Sequence, residues 1–408
     1  MRNIELLSPA GDFERLKLAL KFGADAVYLG GEQFGMRTNP SNFNADELKK
    51  AVELSHSMNK KVYLTCNTLP RNNELDALPD FLKYAGDIGI DAFIIADIGV
   101  MALAQKYAPD VEIHMSTQVG IVNYQTANTL YELGAKRIVT ARELSLDDIK
   151  MIRDKTPDDL QIETFVHGAM CMSFSGRCIL SDYMVGRDAN RGDCAQPCRW
   201  KYHLVEETRP NQYFPINQDD SGTYIFNSRD LCMSEHIPEL VNAGVDSFKI
   251  EGRAKSEYYT AIVTYAYRNA IDEYLKNPSD DYKVPQWILD EMDKMSHREY
   301  TTGFNFGPMK NGQVLDTGGY IRHWDVCALY NCYSDGRLYV DQRNRFFEGE
   351  ELEVVEPNKK PYKIIVTDLF NETEGVKSDV ANKATNTYSF ACDADISTDA
   401  IFRRQKTE

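Results

Sequence analysis

Five of the nine cysteines fall in one stretch, Cys171, Cys178, Cys194, Cys198 and Cys232, with the spacing C-x6-C-x15-C-x3-C-x33-C. Thiolates are strong ligands for soft metals, so thiols concentrated in one segment suit an iron–sulfur cluster or a zinc ion. The spacing is neither the compact ferredoxin run nor the paired C-x2-C of zinc ribbons. Iron–sulfur, zinc and coincidentally clustered free thiols therefore all stay open on these residues alone. The other four, Cys66, Cys327, Cys332 and Cys392, lie in β-like runs and are expected to be small buried hydrophobes.

A repeated unit supplies the elements that would position these thiols. A helix ends at a glycine and a short β-rich run follows in Phe22–Gly31, Ile88–Asp97, Leu133–Arg142 and Ala243–Gly252. Gly23, Gly89, Gly134 and Gly244 fit the left-handed position that ends many helices, and the apolar runs after them suit strands covered on both faces. Runs at Glu5–Ser8, Lys61–Cys66, Glu112–Met115 and Gln161–Val166 complete a set of eight strands. Helical segments at Phe13–Phe22, Ala45–Met58 and Leu144–Lys155 separate them. Alternation of this length predicts an α/β fold, a closed (β/α)8 TIM-like barrel, with a doubly wound open sheet as the competitor.

The connection after the seventh strand is far longer than one β/α unit needs and carries the five clustered cysteines. Functional loops of barrels leave the carboxyl ends of the strands, which puts this insertion, residues 167–235, over the mouth. By the same rule the mouth residues are Arg37, Asn67, Asp97, Gln118, Arg142, Glu143, His167, Glu251 and Arg253.

The domain reading is a barrel over residues 1–275, a connecting segment over 276–317 and a small all-β, barrel-like domain over 318–408, where short β-rich runs alternate with turns such as Ser334-Asp335-Gly336. A net charge of −16 on 408 residues opposes wholesale coating by a polyanion and leaves nucleic-acid binding to local patches. The stretch between His167 and His203 reverses that sign, with five basic residues against three acidic ones, an excess that a solvated loop explains equally. No signal-peptide pattern and no apolar run of about 18 residues occurs, so the expectation is a cytoplasmic protein with no membrane segment and reduced thiols.

The stretch from Glu163 to Cys178, with His167-Gly168 and Cys171 inside it, followed by Asn190 to Cys198, resembles the collagenase-like peptidase family U32. The likeness extends to Leu7–Gly11, Phe34–Arg37, Phe248–Arg253 and Arg298–Phe304. It is nearest to the branch of prephenate-dependent tRNA uridine 5-hydroxylases. The resemblance implies oxygen-independent RNA hydroxylation, giving 5-hydroxyuridine at the wobble position of tRNA. It implies a [4Fe–4S] cluster as cofactor, prephenate as co-substrate, and tRNA plus that small-molecule metabolite as partners. Carried over residue by residue, the cluster ligands would be Cys171, Cys178, Cys194 and Cys232, with Cys198 the competitor for the fourth place. A peptidase, or a hydroxylase of ribosomal RNA or a quinone precursor, is the alternative.

Prephenate carries two carboxylates, and guanidinium forks bind carboxylates through two parallel hydrogen bonds, so Arg37, Arg142 and Arg253 become candidate anion clamps. Pairing of Arg142 with Glu143 and of Arg253 with Glu251 is the bland alternative. Lys249 alternates with Phe248 and Ile250, which points it into the barrel, where its ammonium needs Glu251 or a ligand carboxylate as partner. His167 and Glu251 are the candidate catalytic residues, His167 as a proton donor or a hydrogen-bond partner of a cluster sulfur. The β-domain is expected to be a separable module that helps to hold tRNA.

Overall fold

The structure, a computed structural model, describes residues 4–35, 42–171, 173, 178, 180–197, 218–219, 222–223, 229–308, 320–394 and 396–406. Arg37 and Cys198 lie outside them. Strands β1 (Glu5–Pro9), β2 (Ala26–Gly30), β3 (Lys61–Cys66), β4 (Ala92–Ile95), β5 (Glu112–Met115), β6 (Arg137–Val139) and β7 (Gln161–Ala169) pair parallel in sequence order. Within the insertion lie the short hairpin β8 (Gln218–Asp219) and β9 (Gly222–Thr223), then β10 (Asp230–Cys232). Strand β11 (Ser247–Ile250) pairs parallel with both β7 and β1 and closes an eight-stranded barrel. The expected TIM-like fold is what forms.

Helices α1 (Phe13–Lys21), α2 (Ala45–Ser57), α3 (Leu78–Asp87), α4 (Ile98–Tyr107), α5 (Tyr124–Glu132) and α6 (Leu146–Asp154) cross between the first seven strands. Helix α7 (Leu180–Val185) lies in the insertion, α8 (Ile237–Asn242) precedes β11, and α9 (Glu257–Lys276) follows it. Their starts are written in the sequence. Asp12, Asn44, Ser145 and Ser256 each accept a backbone N–H of the first turn, and Asn44 with Glu47 and Ser145 with Asp148 complete reciprocal capping boxes.

The repeated unit has a second structural content. Its glycines take the left-handed conformation expected of them, Gly23 at φ 106° and Gly134 at φ 102° among them. The aspartate two residues further on, present in three of the four repeats, reaches sideways to the preceding barrel strand. Asp25 accepts the Leu6 N–H (3.0 Å), Asp91 the Val62 N–H (2.7 Å) and Asp246 the Ile162 N–H (2.8 Å). Each also meets a cation or imidazole, Arg268, His56 and Arg153 respectively. These carboxylates sit at the amino-terminal ends of the strands, the face of a barrel that serves stability.

The segment read as a connector returns to the barrel. After α10 (Gln286–Asp293), β12 (Tyr300–Thr301) pairs parallel with β10, which itself runs antiparallel to the end of β7. The carboxyl-terminal domain is all β, with β13 (Trp324–Ser334), β14 (Arg337–Gln342), β15 (Phe346–Phe347), β16 (Glu351–Val355), β17 (Tyr362–Ile365), β18 (Thr367–Asn371), β19 (Val376–Lys377), β20 (Val380–Ala381), β21 (Thr387–Ala391) and β22 (Ile401–Gln405). Eight of them form one antiparallel sheet around Cys327, Leu338, Phe390 and Phe402. Cys66, Cys327 and Cys392 are buried as expected, whereas Cys332 is exposed because the end of β13 projects into solvent.

This domain has its own hydrophobic core and also packs against the barrel. Val355 and Ile401 belong to the main hydrophobic core, and the Tyr265 hydroxyl on α9 donates to the Lys359 carbonyl. Arg403, wholly buried, reaches Glu291 of α10 (2.6 Å), Glu353 of β16 and the Tyr258 hydroxyl of α9 (2.9 Å). The guanidinium is desolvated between one carboxylate of its own domain, Glu353, and one from α10, Glu291.

Candidate active site at the barrel mouth

Strand alternation decides what faces the barrel interior. Glu5, Tyr63, Arg137, Gln161 and Ser247 form the lowest layer. Arg137, 2% exposed, donates to both oxygens of Glu5 (2.5 and 3.0 Å), to Glu163 (2.9 Å), to Gln161 and to Ser247 (3.3 Å). Burial raises the Glu5 carboxyl, but the Arg137 charge and hydrogen bonds from Arg137, Tyr63 and Ser247 outweigh it and hold its pKa at about 2. His114, packed edge-on against the Tyr63 ring, is pushed down to about 4 by burial and by Arg137 and is neutral.

One layer higher, Lys249 donates to Glu163 (2.6 Å) and lies 4.7 Å from the Tyr28 ring centroid and 5.4 Å from that of Phe165. Its inward direction is as read from the alternation. Its carboxylate is Glu163, not Glu251, because Glu163 sits on the neighbouring strand opposite Ser247, one inward step below Lys249. Burial lowers the Lys249 ammonium and Glu163 opposes that shift; for Glu163 the charges of Lys249 and Arg137 overcome burial and lower its carboxyl.

Above this pair, Arg142 at the end of β6 lies flat over Phe165, 3.8 Å from the ring centroid, and donates through Nη1 to the Ala169 carbonyl (2.9 Å). Its Nε is buried with no partner among the described residues, and no carboxylate there, Glu143 included, lies within ion-pair distance. Arg253 is 4% exposed, and its guanidinium lies across the end of β2, donating to Thr65 Oγ1 (2.8 Å) and Asn42 Oδ1 (3.5 Å). Gly30 makes that approach possible, since a Cβ there would stand 2.4 Å from Arg253 Nη1. Asn67 donates to Gln118 (3.0 Å) on the same rim, while Asp97 is occupied as the cap of α4. Glu251 is 9% exposed, with its N–H donating to the His167 carbonyl.

His167 is placed differently from the sequence expectation. The register between β7 and β11 shifts so that Lys249 faces Phe165 while Ile250 faces His167. That extra residue in β7 turns the imidazole out of the barrel. Its ring is 1% exposed among Tyr259 and Tyr267 of α9 and Tyr300 of β12, at centroid separations of 5.9, 5.6 and 5.5 Å. Burial holds it neutral with a pKa of about 3, and Nδ1 has no partner among the described residues. In this geometry the ring packs into the aromatic wall that α9 and β12 form behind the mouth.

Of the cysteine ligands expected from the resemblance, Cys171 and Cys194 are exposed and Cys178 and Cys232 partly buried. Cys178 Sγ accepts the Leu180 N–H (3.3 Å), Cys194 Sγ the Gln196 N–H (3.4 Å), and Cys232 Sγ meets Ser234 Oγ (3.3 Å). Among the described residues no three Cys, His, Asp or Glu side chains are placed to hold a metal ion. The donor types suit a soft metal; their arrangement here is not a closed cage. Likewise no helix among the described residues is long and apolar enough to cross a membrane.

The polar floor of the barrel, with Glu5, Glu163 and Arg137, has no counterpart in the sequence reading. Its signal was available: each is a charged residue inside a β-rich run at an inward position, where only a partner makes it tolerable.

Residues 11–314 match Peptidase family U32 and residues 322–403 its carboxyl-terminal domain. The chain is 36% identical over 405 residues to tRNA hydroxylation protein P1 of Bacillus subtilis, covering 98% of this chain and 95% of that one. It is 44% identical over 306 residues to an uncharacterized protease of Methanocaldococcus jannaschii, covering 74% and 73%. It is 42% identical over 347 residues to tRNA hydroxylation protein P of Helicobacter pylori strain J99, covering 83% and 81%. With both regions matched and the barrel closed as described, the chain belongs to peptidase family U32.

Proposed function

We propose that this chain is an RNA-hydroxylating enzyme that makes 5-hydroxyuridine at the wobble position of tRNA, with prephenate held at the barrel mouth as co-substrate. The observation that carries the reading is Arg142. A guanidinium over an aromatic ring at the catalytic face of a barrel, with a buried Nε left unpartnered and no carboxylate within ion-pair distance among the described residues, suits an incoming carboxylate. The Lys249 ammonium, paired with Glu163, lies 5.4 Å from the centroid of the same ring. The relatives named for tRNA hydroxylation support an RNA substrate. Of the candidate anion clamps, Arg142 is preferred to Arg253, whose fork is engaged by Thr65 and Asn42.

Cys171, Cys178, Cys194 and Cys232 are proposed as ligands of a [4Fe–4S] cluster on their thiol chemistry and on the family resemblance. The barrel residues described above bind and orient the metabolite. Phe165 and Tyr28 exclude water beneath it, and Glu163 opposes the effect of burial on the Lys249 ammonium.

The test is nucleoside mass spectrometry of tRNA from a deletion strain lacking paralogues, complemented with the wild type, Arg142→Ala or Arg142→Lys. Loss of 5-hydroxyuridine on deletion, no rescue by Arg142→Ala and partial rescue by Arg142→Lys are expected, because a point charge cannot reproduce the fork. Unchanged 5-hydroxyuridine in the deletion strain overturns the tRNA assignment. Hydroxylation of ribosomal RNA or a quinone precursor, or cleavage of peptides by homogeneous protein, would then be the reading to adopt.

A further inference from the structure

Beside the mouth, where the chain leaves the barrel for the β-domain, Tyr320 stands partly exposed among three cations. Lys255 Nζ lies 4.5 Å, Arg298 Cζ 4.8 Å and Arg322 Cζ 5.4 Å from its ring centroid, and Lys255 Nζ also donates to the Tyr320 hydroxyl (3.4 Å). Lys255 follows the carboxyl end of β11 and precedes the first turn of α9, so the group sits on the catalytic rim of the barrel. Arg298 is 5% exposed and forms its floor, whereas Lys255 is partly exposed and Arg322 exposed.

Neither Lys255 nor Arg322 has a carboxylate within ion-pair distance among the described residues. Arg322 Nε donates to Ser296 Oγ (3.0 Å), a neutral acceptor. Of the acidic groups around them, Asp325 pairs with Lys406 (3.3 Å), Asp293 faces His297, and Asp230 accepts the Arg298 backbone N–H through Oδ2 (3.1 Å) while its Oδ1 is buried with no partner among the described residues. In a chain of net charge −16, a group of three cations gathered on one ring is a local inversion of the surface field. The ring fixes the cations through its π-face, which reduces the side-chain entropy lost when they meet an anion.

We propose that Lys255, Arg298 and Arg322, organised by Tyr320, form a docking site for the phosphodiester backbone of the RNA substrate next to the barrel mouth. The site rests on the reading of RNA as substrate and adds where the strand is held. It reads charge rather than sequence, because phosphate contacts position a nucleic acid without identifying its bases.

The experiment measures binding of unmodified tRNA transcript to the full chain by fluorescence anisotropy over a range of KCl concentrations. Neutralising one cation that meets a phosphate of a single strand lowers the slope of log K against log salt by about 0.7. The Lys255→Gln/Arg322→Gln double variant is expected to lower that slope by about 1.4, equally for tRNAs of different sequence, with an unchanged melting temperature. Arg322→Gln alone, a change at an exposed position, should lower it by about half as much. A wild-type slope that the double variant retains in full overturns the docking site and leaves RNA as substrate. A wild-type chain that binds no tRNA at any salt concentration overturns the substrate reading as well.

Discussion

Replacing Arg137 by methionine keeps most of the side-chain volume and removes the one charge that serves two buried carboxylates. Glu5 and Glu163 would then face each other with Lys249 as their only near cation. Breaking a buried ion network by deleting one partner costs about 3–5 kcal/mol, because the remaining charge stays desolvated. An independent figure comes from Glu5, whose pKa falls from 4.5 to about 2 chiefly through Arg137 acting against burial, and which therefore contributes about 3 kcal/mol at neutral pH. Because that folded-state pKa is depressed, the contribution is complete above pH 4.5 and disappears as the pH falls from there towards about 2. In Arg137→Met the same carboxyl is left with burial as its dominant influence and moves above 4.5 instead. Its penalty is present at pH 7 and fades as protons bind. Urea unfolding of both proteins at pH 7 and pH 5 should give a gap of about 3–5 kcal/mol that narrows at the lower pH. Adding Glu5→Gln to Arg137→Met should recover a substantial part of the loss, because neutralising both partners removes the orphan charge. A gap of less than about 1 kcal/mol at pH 7, or one that widens at pH 5, would refute the assignment of Arg137 as the charge that makes the polar floor stable.

Removing residues 318–408 should leave a barrel that aggregates or melts well below the full chain, since Glu291 would lose Arg403 and the Tyr265 face would be uncovered; a soluble barrel with the melting temperature of the full protein contradicts this. Gly30→Ala should leave the fold in place at a cost of about 1–3 kcal/mol while displacing the Arg253 guanidinium, so tRNA hydroxylation should fall more than thermal stability; equal activity refutes a role for Arg253 in shaping the mouth. Anaerobically purified protein should be brown and contain iron, and Cys171→Ala or Cys178→Ala should abolish both, with separate Cys198 and Cys232 variants identifying the fourth ligand. Stoichiometric zinc without iron overturns the cluster.

Much of the fold was legible because it is written in short-range code. The glycine-terminated helices, the apolar runs after them and the caps Asp12, Asn44, Ser145 and Ser256 are local signals, and local conformational preference acts on them before any tertiary contact forms. Four such units and four further β-rich runs left a parallel barrel or a doubly wound open sheet, and the pairing of β11 with both β7 and β1 decides for the barrel. The inward direction of Lys249 followed from the two-residue period alone.

The partners did not follow, because they depend on which residues distant in sequence share one layer of the barrel. Lys249 finds Glu163 86 residues away, and Arg137 finds Glu5 132 residues away, contacts fixed by strand stagger rather than by neighbourhood in the chain. One extra residue in β7 sent His167 outward against α9, and no periodicity marks where a strand will bulge. Arg403 makes the same point between domains. Its place in the β-domain is local, but only the packed α9 and α10 decide that its charge is buried and that Val355 and Ile401 join the barrel's core. By itself the sequence determined which barrel strands form and which side chains are candidates for chemistry. The tertiary structure decided which of those side chains meet, because their meeting depends on strand register and helix packing summed over the whole barrel.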